Sequence, residues 1–297
     1  MKILNLGSCN VDYVYRVEHI IKPGETLGAQ SLSVFPGGKG LNQSIALAKA
    51  GAKVMHAGLI GKEGKFLKDT LKNAGVDVRF LKIGKAEGGH AIIQVDDKGE
   101  NCICVFEGTN GQIDEEFIDG VFAHFSKGDL LLLQNEVSSL KYAVEKAYEK
   151  GMKTVLNPSP FNSKITELDL NKIEYLILNE TEAAAISGKS CVIDAIEYIK
   201  STYPKLKTVL TLGKNGSVYF SADECTEMQA FDAKVVDTTS AGDCFTGYFF
   251  ASLSSGMSVK DAMTRASLAS SVTVSRKGAS VSIPTAKEID ELLLNLT

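Results

Sequence analysis

The stretch Tyr175-Leu176-Ile177-Leu178-Asn179-Glu180-Thr181-Glu182-Ala183-Ala184-Ala185-Ile186-Ser187 decides the fold class. Its short, unbroken apolar run at 175–178 reads as a strand buried on both faces, and 183–187 reads as a helix. The polar cluster Asn179–Glu182 falls between them, at the strand end where open α/β sheets bind ligands. A plainer reading stands beside this one, because Asn179 or Thr181 can serve simply as a helix N-cap. The same rhythm recurs outward along the chain. Apolar runs at 3–7, 54–60, 130–133, 154–156 and 208–212 alternate with helical patterns such as 42–50 and 140–150. Strands alternating with helices imply βαβ units in a mainly parallel sheet, a doubly wound α/β core.

Two stretches break the rhythm, 12–35 and 89–110. In the second, 90–95 alternates apolar with polar, a turn signal follows at Asp96-Asp97-Lys98-Gly99, and 101–106 returns as an extended run. That pattern predicts a hairpin. The two stretches together suggest a small β-sheet projecting from the core as a lid or a dimer contact, the alternative being a hairpin packed on the core surface. The expected division is a core of 1–11, 36–88 and 111–297 with a lid of 12–35 and 89–110. Towards the C-terminus, helices are expected over 244–253 and from Ser258 to about Thr273. Thr285 and Glu288 are spaced as a capping box before Ile289, Leu292, Leu293 and Leu296.

Composition narrows the function classes. The chain has 297 residues, 44% hydrophobic and 23% charged, which suits an ordered globular protein and excludes a disordered or collagen-like one. Its net charge of −4 comes from 36 acidic and 32 basic residues spread along the chain, so no global field recruits nucleic acid or an anionic membrane. Any polyanion must be gripped locally. No signal-peptide pattern opens the chain, and no apolar run approaches the roughly 18 residues of a membrane span. The six cysteines lack CxxC pairs and the four histidines are scattered, so a reduced cytoplasmic setting is expected, with histidines in packing or surface roles.

Three motifs bear on chemistry. Thr238-Thr239-Ser240-Ala241-Gly242-Asp243 follows an apparent extended run at 233–236 and opens a helix, so small residues there let successive N–H groups converge on an anion. Asp243 would repel that anion unless it accepts a proton from an attacking hydroxyl, although it could also merely cap the helix. Pro36-Gly37-Gly38-Lys39-Gly40-Leu41-Asn42-Gln43 lets backbone approach a ligand closely and offers donors from Lys39 and Asn42; alone it is a turn before a helix. Thr211–Gly216 ends a strand with a glycine turn. Other signatures fail: Gly188-Lys189-Ser190 lacks the upstream glycine of a P-loop, no GxGxxG follows the first strand, and neither GxSxG nor HExxH occurs.

Taken in order, Gly7–Asp12, Gly37–Gln43, Asn179–Glu182, Thr211–Gly216, Asp237–Asp243 and Arg276–Ala279 resemble the ribokinase-like (PfkB) carbohydrate kinases over essentially the whole chain. The resemblance implies a three-layer α/β core with a β-sheet lid over the sugar, clasped against a second copy as a homodimer. It implies ATP-dependent phosphorylation of D-ribose at the 5-hydroxyl, with ATP, Mg²⁺ and K⁺ as cofactors. Asp243 would be the base and Ser240, Ala241 and Gly242 the anion hole, while Asn10, Asp12, Gly38, Lys39, Asn42 and Glu136 would hold the sugar. Asn179, Glu182, Thr211, Gly213, Lys214, Gly216, Gly242 and Ser267 would line the ATP site, Glu182 helping to place Mg²⁺. Asp237, Thr239, Thr273, Arg276, Gly278 and Ser282 would surround the monovalent cation. Related activities on deoxyribose, fructose or a nucleoside, and a silent sugar-binding protein, are the alternatives. The chain departs from the family pattern at Ser240, usually Gly or Ala, and at Ser267, often His; Cys102 and Cys104 stand where apolar residues usually cover the sugar.

Overall fold

A computed structural model describes residues 1–295 of the chain. Its strands are β1 (Ile3–Leu6), β2 (Asn10–Arg16), β3 (Ser31–Gly37), β4 (Val54–Ile60), β5 (Asp77–Ile83), β6 (Gly89–Val95), β7 (Asn101–Phe106), β8 (Leu130–Gln134), β9 (Lys153–Asn157), β10 (Tyr175–Asn179), β11 (Lys207–Thr211), β12 (Ser217–Phe220) and β13 (Cys225–Met228). Its α-helices are α1 (Lys39–Lys49), α2 (Lys65–Asn73), α3 (Glu115–Phe122), α4 (Leu140–Glu149), α5 (Ser163–Thr166), α6 (Glu180–Ser187), α7 (Val192–Thr202), α8 (Ala241–Ser254), α9 (Val259–Val274) and α10 (Ala286–Leu294).

Nine strands form one sheet in the order β13-β12-β11-β10-β9-β8-β1-β4-β5, parallel throughout except for β12 and β13, which close one edge antiparallel. Unbroken apolar strands are what a sheet covered on both faces requires. In β8, Leu130 and Leu132 pack into a core with Ile45 of α1, Phe249 of α8 and Ala266 of α9. Leu131 and Leu133 face the opposite core, with Phe122 of α3, Val144 of α4 and Ile199 of α7. The result is three layers. β1 pairs with β4 on one side and β8 on the other, so the chain winds outward in two directions and leaves a crevice at the carboxyl ends of these strands.

A separate four-stranded sheet has the order β3-β2-β6-β7, and β6 and β7 form the hairpin expected from the alternating pattern. Its turn is held by Asp96, whose carboxylate accepts the amides of Lys98 and Glu100, both at 2.9 Å. β2 follows three residues after β1, so the small sheet rises directly over the crevice. Leu32, Val34, Phe35, Ile92, Ile103, Val105 and Phe106 are exposed on it.

Some local expectations are corrected. No strand forms at 233–236: β13 ends at Met228, and instead the amides of Val236 and Asp237 both reach the carbonyl of Val274 at the end of α9. Helices α1, α6 and α8 each begin three residues earlier than their apolar patterns, at Lys39, Glu180 and Ala241, because their first turns carry polar or small residues. Thr285 caps α10 by accepting the amide of Glu288, but the Glu288 carboxylate pairs with Arg276 instead of completing a capping box. Leu296 lies outside the described residues. Among these residues no helix is long and apolar enough to cross a membrane.

The contact that sets the site is between α1 and α8. At Gly247 an added Cβ would lie 2.3 Å from the Cβ of Ala46 and 2.7 Å from the amide nitrogen of Leu47, so only glycine permits this approach. Gly247 is one turn beyond Asp243, and Ala46 one turn beyond Asn42. Gly247→Ala should therefore destabilise the protein by about 1–3 kcal/mol, the usual cost of overpacking a core, and lower turnover by moving α1 from Asp243. Denaturant unfolding and steady-state kinetics test this; unchanged stability would show that the helices are free to move apart.

Candidate active site

The first turn of α8 makes the floor of the site. Ser240 precedes it with φ 62°, in the left-handed region, where a non-glycine residue costs roughly 1–2 kcal/mol. Its hydroxyl is buried and hydrogen-bonds nothing within the chain. First-turn amides of a helix lack intrahelical partners and sit at the positive end of its dipole. A polar hydroxyl and these amides thus meet at one place, a donor set suited to an anion.

Asp243, 6% exposed, lies in the same turn. Gln43 donates its amide N–H to Oδ1 at 2.9 Å, and Asn42 donates to Oδ2 at 3.3 Å. Asn42 keeps a buried Oδ1 with no partner in the chain. Burial works against the charge of Lys39, yet Asp243, Glu136 and Glu182 outweigh it and hold the ammonium pKa above its usual value. Glu136 accepts the Lys39 amide at 2.9 Å and the Ser8 hydroxyl, linking β8 to the start of α1. Burial nevertheless lifts its pKa, with Asp243 adding to the lift.

Above these groups Asp12 reaches from β2 across Gly37 of β3, where an added Cβ would fall 2.0 Å from the carboxylate. Burial first, and then the charge of Glu136, push Asp12 up to about 7. Asn10 accepts from Nδ2 of Asn110 at 2.7 Å, and Asn110 in turn accepts the Cys9 amide at 3.1 Å. Gly38, with φ 92°, caps α1 beneath them. Sequence reasoning missed Asn110; its only signal was a glycine-flanked turn following β7.

Two cavities adjoin at α8. The smaller, about 240 Å³, is lined by Lys39, Asn179, Glu182, Ser240 and Asp243 among others. The larger, about 470 Å³, is lined by Thr211, Gly213, Lys214, Gly216 and Ser267, and the two share Thr211, Thr238, Ala241 and Gly242. Asn179 also fulfils the plainer expectation: it accepts the Glu182 amide at 2.9 Å while Glu182 accepts the Asn179 amide at 3.0 Å, a full capping box. The other Glu182 oxygen accepts the Ser159 hydroxyl. Ser267 donates to the carbonyl of Gln229 at 3.3 Å, so its hydroxyl is already engaged within the chain.

The six residues singled out for a monovalent cation lie behind this floor. Asp237 accepts the amides of Thr239 and Gly278, each at 2.9 Å, which ties the loop before α8 to the loop after α9. Burial opposes its charge, but the Thr239 hydrogen bonds and the Gly278 amide prevail and its pKa is lowered. The hydroxyls of Thr273 and Ser282 go to the carbonyls of Ala269 and Ala279, and Arg276 pairs with Glu288. What these residues could offer a cation is chiefly backbone carbonyl oxygen, a hard donor set. Among the described residues no group of three or more His, Cys, Asp or Glu could hold a metal ion.

The model of the pfkB family of carbohydrate kinases matches residues 1–286. A ribokinase of Haemophilus influenzae is 35% identical over 298 residues, spanning 97% of each chain. Among solved structures, a ribokinase from Cryptococcus neoformans var. grubii in complex with ADP matches with TM-score 0.87 and 32% identity, covering 98% of this chain and 99% of that one. Arabidopsis thaliana ribokinase complexed with ribose and ATP matches with TM-score 0.86 and 26% identity, covering 98% of both.

The raised Asp12 has a consequence for stability. Between the ordinary carboxylate value and about 7, the native state holds a proton that the unfolded chain has released, so this group's contribution to stability falls as pH rises through that window. Asp12→Asn cannot titrate. Its stability relative to the parent should climb from pH 4 to 7 and level off above, measured by denaturant unfolding at a series of pH values; parallel curves would contradict the assignment.

Proposed function

We propose that this chain, which belongs to the pfkB family of carbohydrate kinases, transfers the γ-phosphoryl group of ATP to the 5-hydroxyl of D-ribose, giving ribose 5-phosphate and ADP. The observation that carries the reading is the place of Asp243, in the first turn of α8 where the two cavities meet. Asp243 takes the proton of the 5-hydroxyl as that oxygen bonds to phosphorus and the bond from phosphorus to the ADP oxygen breaks. Charge gathering on the transferring group meets the amides of Gly242 and Asp243 and the unpartnered Ser240 hydroxyl, the Ala241 amide being taken up by the Thr238 carbonyl. These donors need no rearrangement.

Asn10, Asp12, Gly38, Lys39, Asn42 and Glu136 surround the sugar in this reading. Carboxylates accept from sugar hydroxyls, Lys39 donates to sugar oxygens, and the orphaned Oδ1 of Asn42 gains a donor when a hydroxyl arrives. The adenine and ribose of ATP occupy the larger cavity along Thr211–Gly216. Mg²⁺ bound to the phosphates would supply charge neutralisation; both oxygens of Glu182 already accept one hydrogen bond each, and their remaining lone pairs could accept from waters of that ion. K⁺ suits the carbonyls around Asp237, Thr239, Thr273, Arg276, Gly278 and Ser282, because that oxygen set is weakly charged and irregular. A second copy of the chain is the proposed cover for the exposed apolar side chains of the four-stranded sheet.

A coupled ADP-release assay over a panel of ribose, deoxyribose, fructose and nucleosides, with and without K⁺, should show ribose as the preferred acceptor and faster turnover with K⁺. Sugar-independent ADP release alone would reject the kinase reading. In the same assay Asp243→Asn should lose at least about 10²-fold in kcat, the low end for general-base catalysis, while still binding sugar. Near-parental turnover in that variant would remove Asp243 from the chemistry.

A further inference from the structure

Behind Asp243 runs a chain of side chains that no solvent reaches: Gln43 and Ser44 of α1, Gln134 of β8, Asn5 of β1 and His56 of β4 are all 0% exposed. Burying that many polar groups is costly unless they are paired, and apart from Gln134 Oε1, which has no partner within the chain, the amides here are hydrogen-bonded in a single arrangement. Gln43 Nε2 donates to Asp243 at 2.9 Å and to Asn157 Oδ1 at 3.0 Å. Gln134 Nε2 donates to Gln43 Oε1 at 2.7 Å and to Asn5 Oδ1 at 3.0 Å. Asn5 Nδ2 donates to the Gly40 carbonyl and to Ser44 Oγ, both at 2.8 Å, and Ser44 meets His56 Nδ1 at 2.8 Å.

The direction of this chain is set at both ends by groups that only accept. The Gly40 carbonyl requires the NH₂ of Asn5, so Asn5 turns its oxygen to Gln134. Gln134 must then present NH₂ to Asn5 and to Gln43, whose oxygen faces it in return. On the other branch Asn157 donates to the Ile177 carbonyl at 3.0 Å and so turns its own oxygen towards Gln43. Flipping the Gln43 amide would set its oxygen against Asp243 and Asn157 and its NH₂ against that of Gln134. Only an N–H can face Asp243, and a carboxylate, not a carboxylic acid hydroxyl, is the partner that N–H stabilises.

Resting on the reading of Asp243 as the base, we infer that Gln43 is its positioning residue. The buried amides of Gln134, Asn5 and Asn157 hold Gln43 so that its N–H pins Oδ1 and fixes the carboxylate plane, leaving Oδ2 on the side of Asn42. Asn42 stands among the sugar ligands, whereas Gln43 is fully enclosed and acts only through Asp243. The charged and titratable groups around Asp243 are Lys39 of α1, Glu136 beyond β8, Glu182 of α6 and the adjoining Cys244, whose thiol burial pushes up to about 12. None of them is altered in the variants below.

Gln43→Met keeps side-chain volume and removes the donor. Its kcat should fall by about 10- to 10²-fold, the scale of a misplaced catalytic group, with KM for ribose and for ATP unchanged within about twofold. Gln43→Glu serves as an isosteric second variant and decides between the outcomes should the methionine variant fail to melt cooperatively. The introduced carboxylate repels Asp243 once ionised, so its kcat should decline as pH rises, which a purely structural role would not produce. Parental kcat in the folded variants, or a Gln43→Glu kcat that does not decline with pH, overturns the inference, as does a rise in KM with kcat unchanged. Asp243→Asn is measured alongside: if it is inactive while Gln43→Met is parental, only this inference falls, and if it keeps near-parental turnover the reading of the base itself falls.

Discussion

One ammonium among three carboxylates is the constraint on which the site depends. Lys39 faces Asp243, Glu136 and Glu182, and all of them are removed to a large degree from water. A Coulomb count alone leaves this cluster short of positive charge. Helix N-termini make up the difference. Glu136 accepts the amide of Lys39, the first residue of α1; Glu182 and Asp243 are the third residues of α6 and α8. Each carboxylate thus lies at the positive end of a different helix, and the sheet brings the three ends together by placing β8, β10 and the α8 loop along one crevice.

That convergence ties packing to chemistry. α1 carries Lys39, Asn42 and Gln43 in its first turns, and α8 carries Asp243; their separation is fixed where Gly247 meets Ala46. A larger contact residue one turn away would widen the gap that two side-chain amides now bridge. The apolar core and the polar site are therefore one structure: α1 is buried on every side over its first turns, so the same turns that bury Leu41 and Ile45 also aim Asn42 and Gln43.

The fold is legible in the sequence because it is written in apolar runs. β8 and β10 are mostly aliphatic, and the alternation of their side chains between two cores follows from being covered on both sides. The turn at 238–243 that opens α8 and the small sheet are legible from Gly and Ser spacing and from the 90–106 alternation. What escapes the sequence has a physical reason. Helices begin at Lys39, Glu180 and Ala241, ahead of their apolar periodicity, because function occupies the first turns and leaves no apolar pattern there. The β-branched residues at 233–236 predict a strand, but strands need an edge to pair with, and here the segment meets the end of α9 instead. Asn110, Gln134 and Asn5 are invisible because isolated amides in a sequence carry no sign of which distant partner they will meet.

Under the proposed reaction, the neutral amides around Asp243 also bear on how an acidic chain holds a polyanion. A cation in direct contact with Asp243 would fix its geometry but also stabilise its charge strongly, and a base so stabilised is a weaker proton acceptor. Amide donors supply direction without placing a full charge against the carboxylate. Lys39 sits further round the cavity wall, where it offsets Glu136 and Glu182 as well as Asp243. Positive character is thus divided between one lysine and several helix N-termini, all local, and a net charge of −4 over the whole chain does not oppose it.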